Sequence, residues 1–294
     1  MIKRISFLLL FGSVFGFAMA DESEFQPGSR GQYTFEGWSV GPLSVEYVIP
    51  ANPQPTTPVL VVIPGAKRNA DDYRDQWFRL AQQHNFYVVA IGCSRAVCPD
   101  EYSYNLGGMI TGQGESVPAD KQFFSVPERV FADFVSRVGS EQATFALYGH
   151  SAGGQFVHLY MLARPDAPVS QAVSANAAFF MPVDETLSFP FGLKESGFDA
   201  SDVKTWLRQP LTFMLSDKDL GPRTKPLSNS DEAKQQGLNV FSRGLSFYTQ
   251  AVNWHVANDV ESTWKLDIVH GVGHNSTKVV PHALPYLFPT FTKE

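Results

Sequence analysis

Val59-Leu60-Val61-Val62-Ile63 contains no polar side chain and is mostly β-branched. A half-exposed strand alternates apolar and polar residues, whereas an unbroken apolar run fits a strand covered on both faces, as in a parallel sheet. Further strand-like stretches follow at Phe86 to Ile91, Phe145 to Tyr148, Gln171 to Ala175, Leu211 to Leu215 and Trp264 to Val269. Helical spacing of apolar residues separates them at Asp71 to His84, Ser125 to Val138, Gln155 to Ala163 and Leu238 to Ala257, and a short final helix is predicted over His282 to Leu287. Gly41 to Ile49 alternates as an early, half-exposed strand should. Strands joined through helices need crossovers, so the class is α/β, with a mostly parallel central sheet flanked by helices. Only residues 176–210 break the rhythm. They carry Phe179, Phe180, Phe189, Phe191 and Trp206 with little periodicity. This stretch reads as an aromatic insertion over the C-terminal edge of the sheet that could wall an acyl or aryl pocket, with plain core packing as the alternative.

The chain has 294 residues, and its start has a different character. Lys3 and Arg4 precede an apolar run from Ile5 to Phe17, and Ala18-Met19-Ala20 forms a small-x-small cleavage site. Residues 1–20 are therefore expected to be a signal peptide, and 21–294 a single exported domain, periplasmic or secreted, without integral membrane association after cleavage. Loss of the two cations with that leader takes the formal net charge from −6 to −8. An acidic chain without a basic run has no electrostatic footprint for nucleic acid. Export permits a disulfide between the two cysteines, Cys93 and Cys98. No zinc-type ligand spacing occurs, so no metal is expected.

Two stretches match Gly-x-Ser-x-Gly: Gly37-Trp38-Ser39-Val40-Gly41 and Gly149-His150-Ser151-Ala152-Gly153. The first precedes a strand and has no helix after it. The second lies between a strand and a helix, which is the setting of a nucleophile held on a sharp turn. Gly149 and Gly153 remove side chains that would clash there, and the Ala152 N–H stands at a helix N-terminus, where it can stabilise an oxyanion. Ser151 is thus the candidate nucleophile. A serine needs a base, and in this arrangement an acid and then a histidine follow it along the chain. His274 lies in a glycine-loosened loop just past the last strand and is preferred over His270. Asp219, past the penultimate strand, is preferred over Asp217 as the carboxylate that orients the imidazole. The second oxyanion donor should come from the loop after Ile63, where Gly65 permits close approach and the Ala66 N–H is the natural donor.

Taken together these residues resemble the α/β-hydrolase superfamily, and more narrowly the secreted bacterial esterases of the poly(3-hydroxyalkanoate) depolymerase and feruloyl-esterase type. The resemblance is carried by Pro64 to Trp77, Tyr104-Asn105-Leu106-Gly107-Gly108-Met109, Gly149 to Gly154, Ser174-Ala175-Asn176-Ala177 and Gly271-Val272-Gly273-His274. It implies Ser151 as nucleophile, His274 as base, Asp219 as acid and Ala66 and Ala152 as oxyanion donors, with no cofactor. Many relatives have His-Gly where this chain has Pro64-Gly65. The expected activity is hydrolysis of a small-molecule or oligomeric carboxylic ester through an acyl-enzyme. A peptidase or lipase on the same fold, and an inactive binding protein that keeps the fold, are the alternatives.

Overall fold

The protein is described here from a computed structural model covering residues 24–221, 227–228 and 230–292. The expected signal peptide, residues 1–20, lies outside the described residues. Eight strands form one sheet: β1 (Arg30–Phe35), β2 (Leu43–Val48), β3 (Val59–Ile63), β4 (Tyr87–Gly92), β5 (Phe145–His150), β6 (Val169–Ala175), β7 (Leu211–Ser216) and β8 (Lys265–Val269). Their spatial order is β1-β2-β4-β3-β5-β6-β7-β8. β1 and β2 pair antiparallel, as do β2 and β4, and every later pairing is parallel.

Both faces of the parallel part are covered, as the apolar runs require. Along β3, Val59, Val61 and Ile63 enter one core cluster, while Leu60 and Val62 enter the other; β4 divides its residues the same way. Helices α1 (Ala70–His84) and α7 (Ser276–Leu287) cover one face with Trp77, Ala81, Val280 and Leu284. Helices α2 (Val126–Val138), α3 (Ala152–Ala163), α4 (Ala200–Leu207) and α6 (Val240–Ala257) lie over the other, and α5 (Asp231–Gln236) leads into α6. α2 buries Val126, Val130, Phe131 and Phe134 and stops at Gly139, which takes the left-handed conformation that closes a helix. Among the described residues no helix is long and apolar enough to cross a membrane.

The structure extends several sequence expectations. α3 starts at Ala152 rather than Gln155, because Gly153 and Gly154 read as poor helix formers but continue the helix begun at Ser151. α7 starts at Ser276, capped by Asn275, and runs through Pro281 and Pro285, so His282 lies inside this helix instead of opening it. Burial of Val279, Val280, Ala283, Leu284 and Leu287 outweighs the lost backbone bonds. β1, α4 and α5 carry weak patterns and were not anticipated.

Residues 176–210 prove to be the connection from β6 to β7, and α4 is its helix. Most of its aromatics belong to the core. Phe180 stacks on Phe247 at 4.7 Å, and Trp206 meets Trp264 edge-on at the same distance. Phe189 differs. Together with Tyr102, Ile110, Thr111 and Glu195 it lines a cavity of about 520 Å³ between the segments that follow β4 and β6.

His158, on α3, points into this aromatic cluster and away from Ser151. Its Nδ1 meets the Gly154 carbonyl at 3.2 Å, and Met181 N–H donates to Nε2 at 3.3 Å, so the ring is neutral. Burial pushes its pKa down to about 4, against a smaller opposing pull from the Gly154 and Gln155 backbone. The unfolded chain therefore takes up this proton more readily than the folded one. The contribution is full above about pH 6.5 and is lost as pH falls through 4, a difference on the order of 3 kcal/mol. Urea unfolding followed across this range should show wild-type stability falling with pH and a flatter slope in His158→Gln. Equal slopes would remove His158 as the cause.

Candidate active site

The loops that carry the candidate residues all leave the C-terminal ends of parallel strands. β3 leads to Pro64-Gly65-Ala66, β5 to Ser151, β7 to Asp219 and β8 to His274.

Ser151 caps α3 with φ 60° and ψ −119°, a backbone conformation that costs a non-glycine residue about 1–3 kcal/mol. The turn is held from both sides. Ser151 N–H donates to Ala175 O at 2.9 Å, and Gln155 N–H donates to Ser151 O at 3.0 Å. The surrounding packing leaves no room for side chains. A methyl on Gly153 would lie 2.0 Å from the Ile63 carbonyl oxygen, and one on Gly149 would lie 2.1 Å from the Gly153 carbonyl oxygen. The start of α3 is thereby pressed against the ends of β3 and β5. In contrast, Ser39 sits in the antiparallel connection between β1 and β2, away from any strand-to-helix turn.

The candidate oxyanion loop is close by. A methyl built on Gly65 would stand 3.6 Å from Ser151 Cβ. Among the described residues neither the Ala66 N–H nor the Ala152 N–H donates to another protein group, so both remain free for an external oxygen. The Pro64 carbonyl accepts from the buried Tyr104 hydroxyl at 2.8 Å.

His274 and Asp219 meet directly. His274 Nδ1 lies 2.5 Å from Asp219 Oδ2, and the carboxylate side chain is 2% exposed. This bond makes Nδ1 the protonated nitrogen and leaves Nε2 as the acceptor. Among the described residues Ser151 Oγ and His274 are not hydrogen-bonded to each other; such contacts commonly tighten only around a bound substrate. The acid turn is stitched to the base loop by Asp217 N–H donating to Val269 O and Lys218 N–H donating to Val272 O.

Asp217, the carboxylate not preferred as the acid, contacts the loop that carries His270 and His274. It accepts from Gly271 N–H at 2.8 Å and meets His270 Nδ1 at 3.1 Å. The His270 contact, then that N–H, hold its carboxyl below the usual carboxylate range. The His270 side chain is 82% exposed, so this second pair braces the base loop at the surface. Cys93 and Cys98 are disulfide-bonded just after β4. Cys98 O accepts from the Arg68 guanidinium, which ties the disulfide loop to the oxyanion loop.

Sequence reasoning passed over His150, Tyr73, Asn176 and Ser216. His150 is 3% exposed, and its ring centroid lies 4.6 Å from that of His274. Its signal in the sequence is its place inside the Gly149 to Gly153 motif, directly before Ser151.

Neither a protein-family model nor a curated protein matches this chain. Solved structures do. Poly(aspartic acid) hydrolase-1 from Sphingomonas sp. KT-1 is 36% identical, with a TM-score of 0.86 over 90% of this chain and 99% of that one. The LpqC poly(3-hydroxybutyrate) depolymerase from Bordetella parapertussis is 29% identical, with a TM-score of 0.81 over 87% of this chain and 89% of that one. A fluorophosphonate-binding serine hydrolase from Staphylococcus aureus shares the fold at 15% identity, with a TM-score of 0.58 over 89% of this chain and 99% of that one.

Exchange of Asp219 for Asn would leave His274 without its carboxylate acceptor and favour the wrong tautomer. The expected loss in kcat is about 10³–10⁴-fold, against less than about tenfold for Asp217→Asn. Steady-state kinetics on one ester decides, and comparable small losses in the two variants would displace Asp219 as the acid.

With more than a third of its residues identical to one of these enzymes along nine-tenths of its length, the chain belongs to the α/β-hydrolase superfamily of serine hydrolases.

Proposed function

We propose that this protein is an exported, single-domain serine hydrolase that cleaves carboxylic esters by acyl transfer. The observation that carries the reading is the part-buried 2.5 Å contact between His274 and Asp219, with the His274 ring 4.6 Å from that of His150, the residue directly before the strained turn at Ser151. Ser151 Oγ attacks the ester carbonyl carbon while His274 Nε2 takes its proton. The carbonyl π bond opens, and the resulting oxyanion is held by the N–H groups of Ala66 and Ala152. Collapse expels the alcohol, which leaves with the proton from His274. Water then attacks the acyl-serine with His274 again as base, releasing the acid and restoring the hydroxyl. The positive end of α3 adds to the stabilisation of the oxyanion.

The polymers named for the Sphingomonas and Bordetella enzymes are a polyamide and a polyester, and acyl transfer serves both. The charge around the oxyanion loop favours substrates that carry a carboxylate. Arg95 Nη2 donates to Ala66 O at 3.4 Å, and Arg68 lies over the Tyr104 ring at 4.5 Å. Burial lowers the Arg68 pKa first, and the neighbouring Arg95 charge lowers it further, so the two guanidinium groups feel one another. Among the described residues no carboxylate lies within ion-pair distance of Lys67, Arg68 or Arg95. A protein of net charge −6 thus keeps, beside its candidate oxyanion donor, a cationic group with no close ion-pair partner among the described residues, Asp100 acting on Arg68 only from beyond ion-pair distance.

The primary test is hydrolysis of p-nitrophenyl esters by wild type and Ser151→Ala, beside labelling with a fluorophosphonate. Wild type should turn over and label, and the variant should lose about 10³–10⁶ in kcat with its fold intact. A wild type that neither turns over nor labels would indicate a binding protein.

A second comparison sizes the charge preference. Arg95→Ala should raise KM several-fold for p-nitrophenyl hemisuccinate and leave p-nitrophenyl butyrate nearly unchanged. Equal effects on the two esters would dismiss the carboxylate preference.

A further inference from the structure

The Ser174-Ala175-Asn176-Ala177 stretch takes no part in the acyl-transfer steps, yet it lies at the centre of the site. Asn176 is fully buried and sits at φ 46°, directly after β6. Its side chain reaches the neighbouring strand. Ser216 N–H donates to Asn176 Oδ1 at 2.7 Å, and Asn176 Nδ2 donates to Ser216 Oγ at 2.9 Å. Its own N–H donates to Met214 O at 2.9 Å. Ser216 is the last residue of β7, and its carbonyl accepts the Asp219 N–H at 3.0 Å. One residue earlier, the Ala175 carbonyl holds the Ser151 N–H. Asn176 is therefore one backbone step from the nucleophile turn and one side chain from the acid turn.

The same amide extends the chain of contacts. Asn176 Nδ2 approaches His150 Nε2 at 3.4 Å, and His150 Nδ1 approaches the Tyr73 hydroxyl at 3.5 Å. An amide N–H toward Nε2 makes that nitrogen the acceptor and places the ring proton on Nδ1, toward Tyr73. The Tyr73 hydroxyl in turn abuts Gly65, where an added methyl would lie 2.8 Å away. Burial raises its pKa, so it stays protonated, while the Gly65 backbone and then the Ser276 side chain pull the other way. Oxyanion loop, nucleophile turn and acid turn are thus joined through buried polar groups, and the His150 ring rests against His274.

We propose that Asn176, acting with His150, is a positioning residue that fixes the Asp219–His274 pair relative to Ser151. The proposal rests on the reading of Ser151, His274 and Asp219 given above. Neither Asn176 nor His150 touches the substrate carbonyl. They set where the acid and base stand, and misplacement of about 1 Å at such a site can cost 10²-fold in rate.

The test compares Asn176→Ala, His150→Phe and their double variant with wild type on p-nitrophenyl butyrate. A positioning role predicts kcat lowered by about 10–100-fold with KM within about twofold, and fluorophosphonate labelling of Ser151 slowed in parallel. The double variant should lose little more than the worse single one, since both break one chain of contacts. Folded variants that keep kcat within about twofold, or that lose only in KM, would overturn it. Should either variant fail to fold, Ser216→Ala removes a single acceptor and is judged by the same split. A second readout does not need turnover: the far-downfield proton resonance of the Asp219–His274 hydrogen bond, recorded in a Ser151→Ala background. Its loss or displacement in Asn176→Ala supports the role even if esters are not the substrate, and an unchanged resonance refutes it.

Discussion

The close seating of α3 on the sheet is the constraint on which the rest of the site depends. Gly153 lies so near the Ile63 carbonyl that no side chain fits, and Gly149, on β5, lies equally near the Gly153 carbonyl in the first turn of α3. This contact forces the chain to reverse between β5 and α3 within one residue. Ser151 occupies the reversal with a positive φ of 60°. The strain is offset by burial of nearly all of α3, from Ala152 to Leu162, between the sheet and its neighbouring helices. A single substitution at Gly153 would cost both the packing and the geometry of the candidate nucleophile.

Parallel pairing then supplies the remaining geometry. Adjacent strands lie about 4.8 Å apart, so loops leaving β3, β5, β6 and β7 start within a few strand spacings of one another. Because all of them leave at C-terminal ends, each can deliver one polar group to the same edge. The apolar runs that make the strands also exclude water from beneath the site. An uncompensated polar group there would be costly, and the side chains of Asn176 and Ser216 answer each other's needs almost completely. The same burial that builds the sheet therefore makes a precise polar chain affordable at its rim.

Much of this was legible in the sequence because it is written in local patterns. Val59 to Ile63 and Phe145 to Tyr148 are strands whichever partners they have, since no other arrangement hides so many apolar side chains. Ser151 was separable from Ser39 because only one of them sits between a strand and a helix. Other elements depend on partners distant in sequence. α4 owes its start to an Asp199–Asp202 capping box and its burial to Trp206 and Val203, a signal too short to stand out among aromatics and prolines. α7 contains two prolines, and only the surface it covers keeps it helical. Asn176 reads as an ordinary loop residue until β7 is known to lie beside β6, because its partner Ser216 is 40 residues away.

The choice between two histidine–aspartate pairs shows where sequence reasoning stops and burial takes over. His270–Asp217 and His274–Asp219 have the same chemistry, a spacing of 53 and 55 residues, and positions four residues apart on one loop. Pattern alone can only prefer the one further past the strand. The structure separates them by solvent. Asp217 is 24% exposed and its histidine 82%, whereas Asp219 is 2% exposed and its histidine 24%. In a water-poor setting the attraction between an imidazolium and its carboxylate is screened less, so the buried pair can hold the charge that forms during proton transfer. The exposed pair would give little in water, and its carboxylate instead spends one oxygen on the Gly271 N–H. Two similar pairs thus differ by depth, the buried one suited to the proposed chemistry and the exposed one joining the strand-end turn to the loop that carries His274.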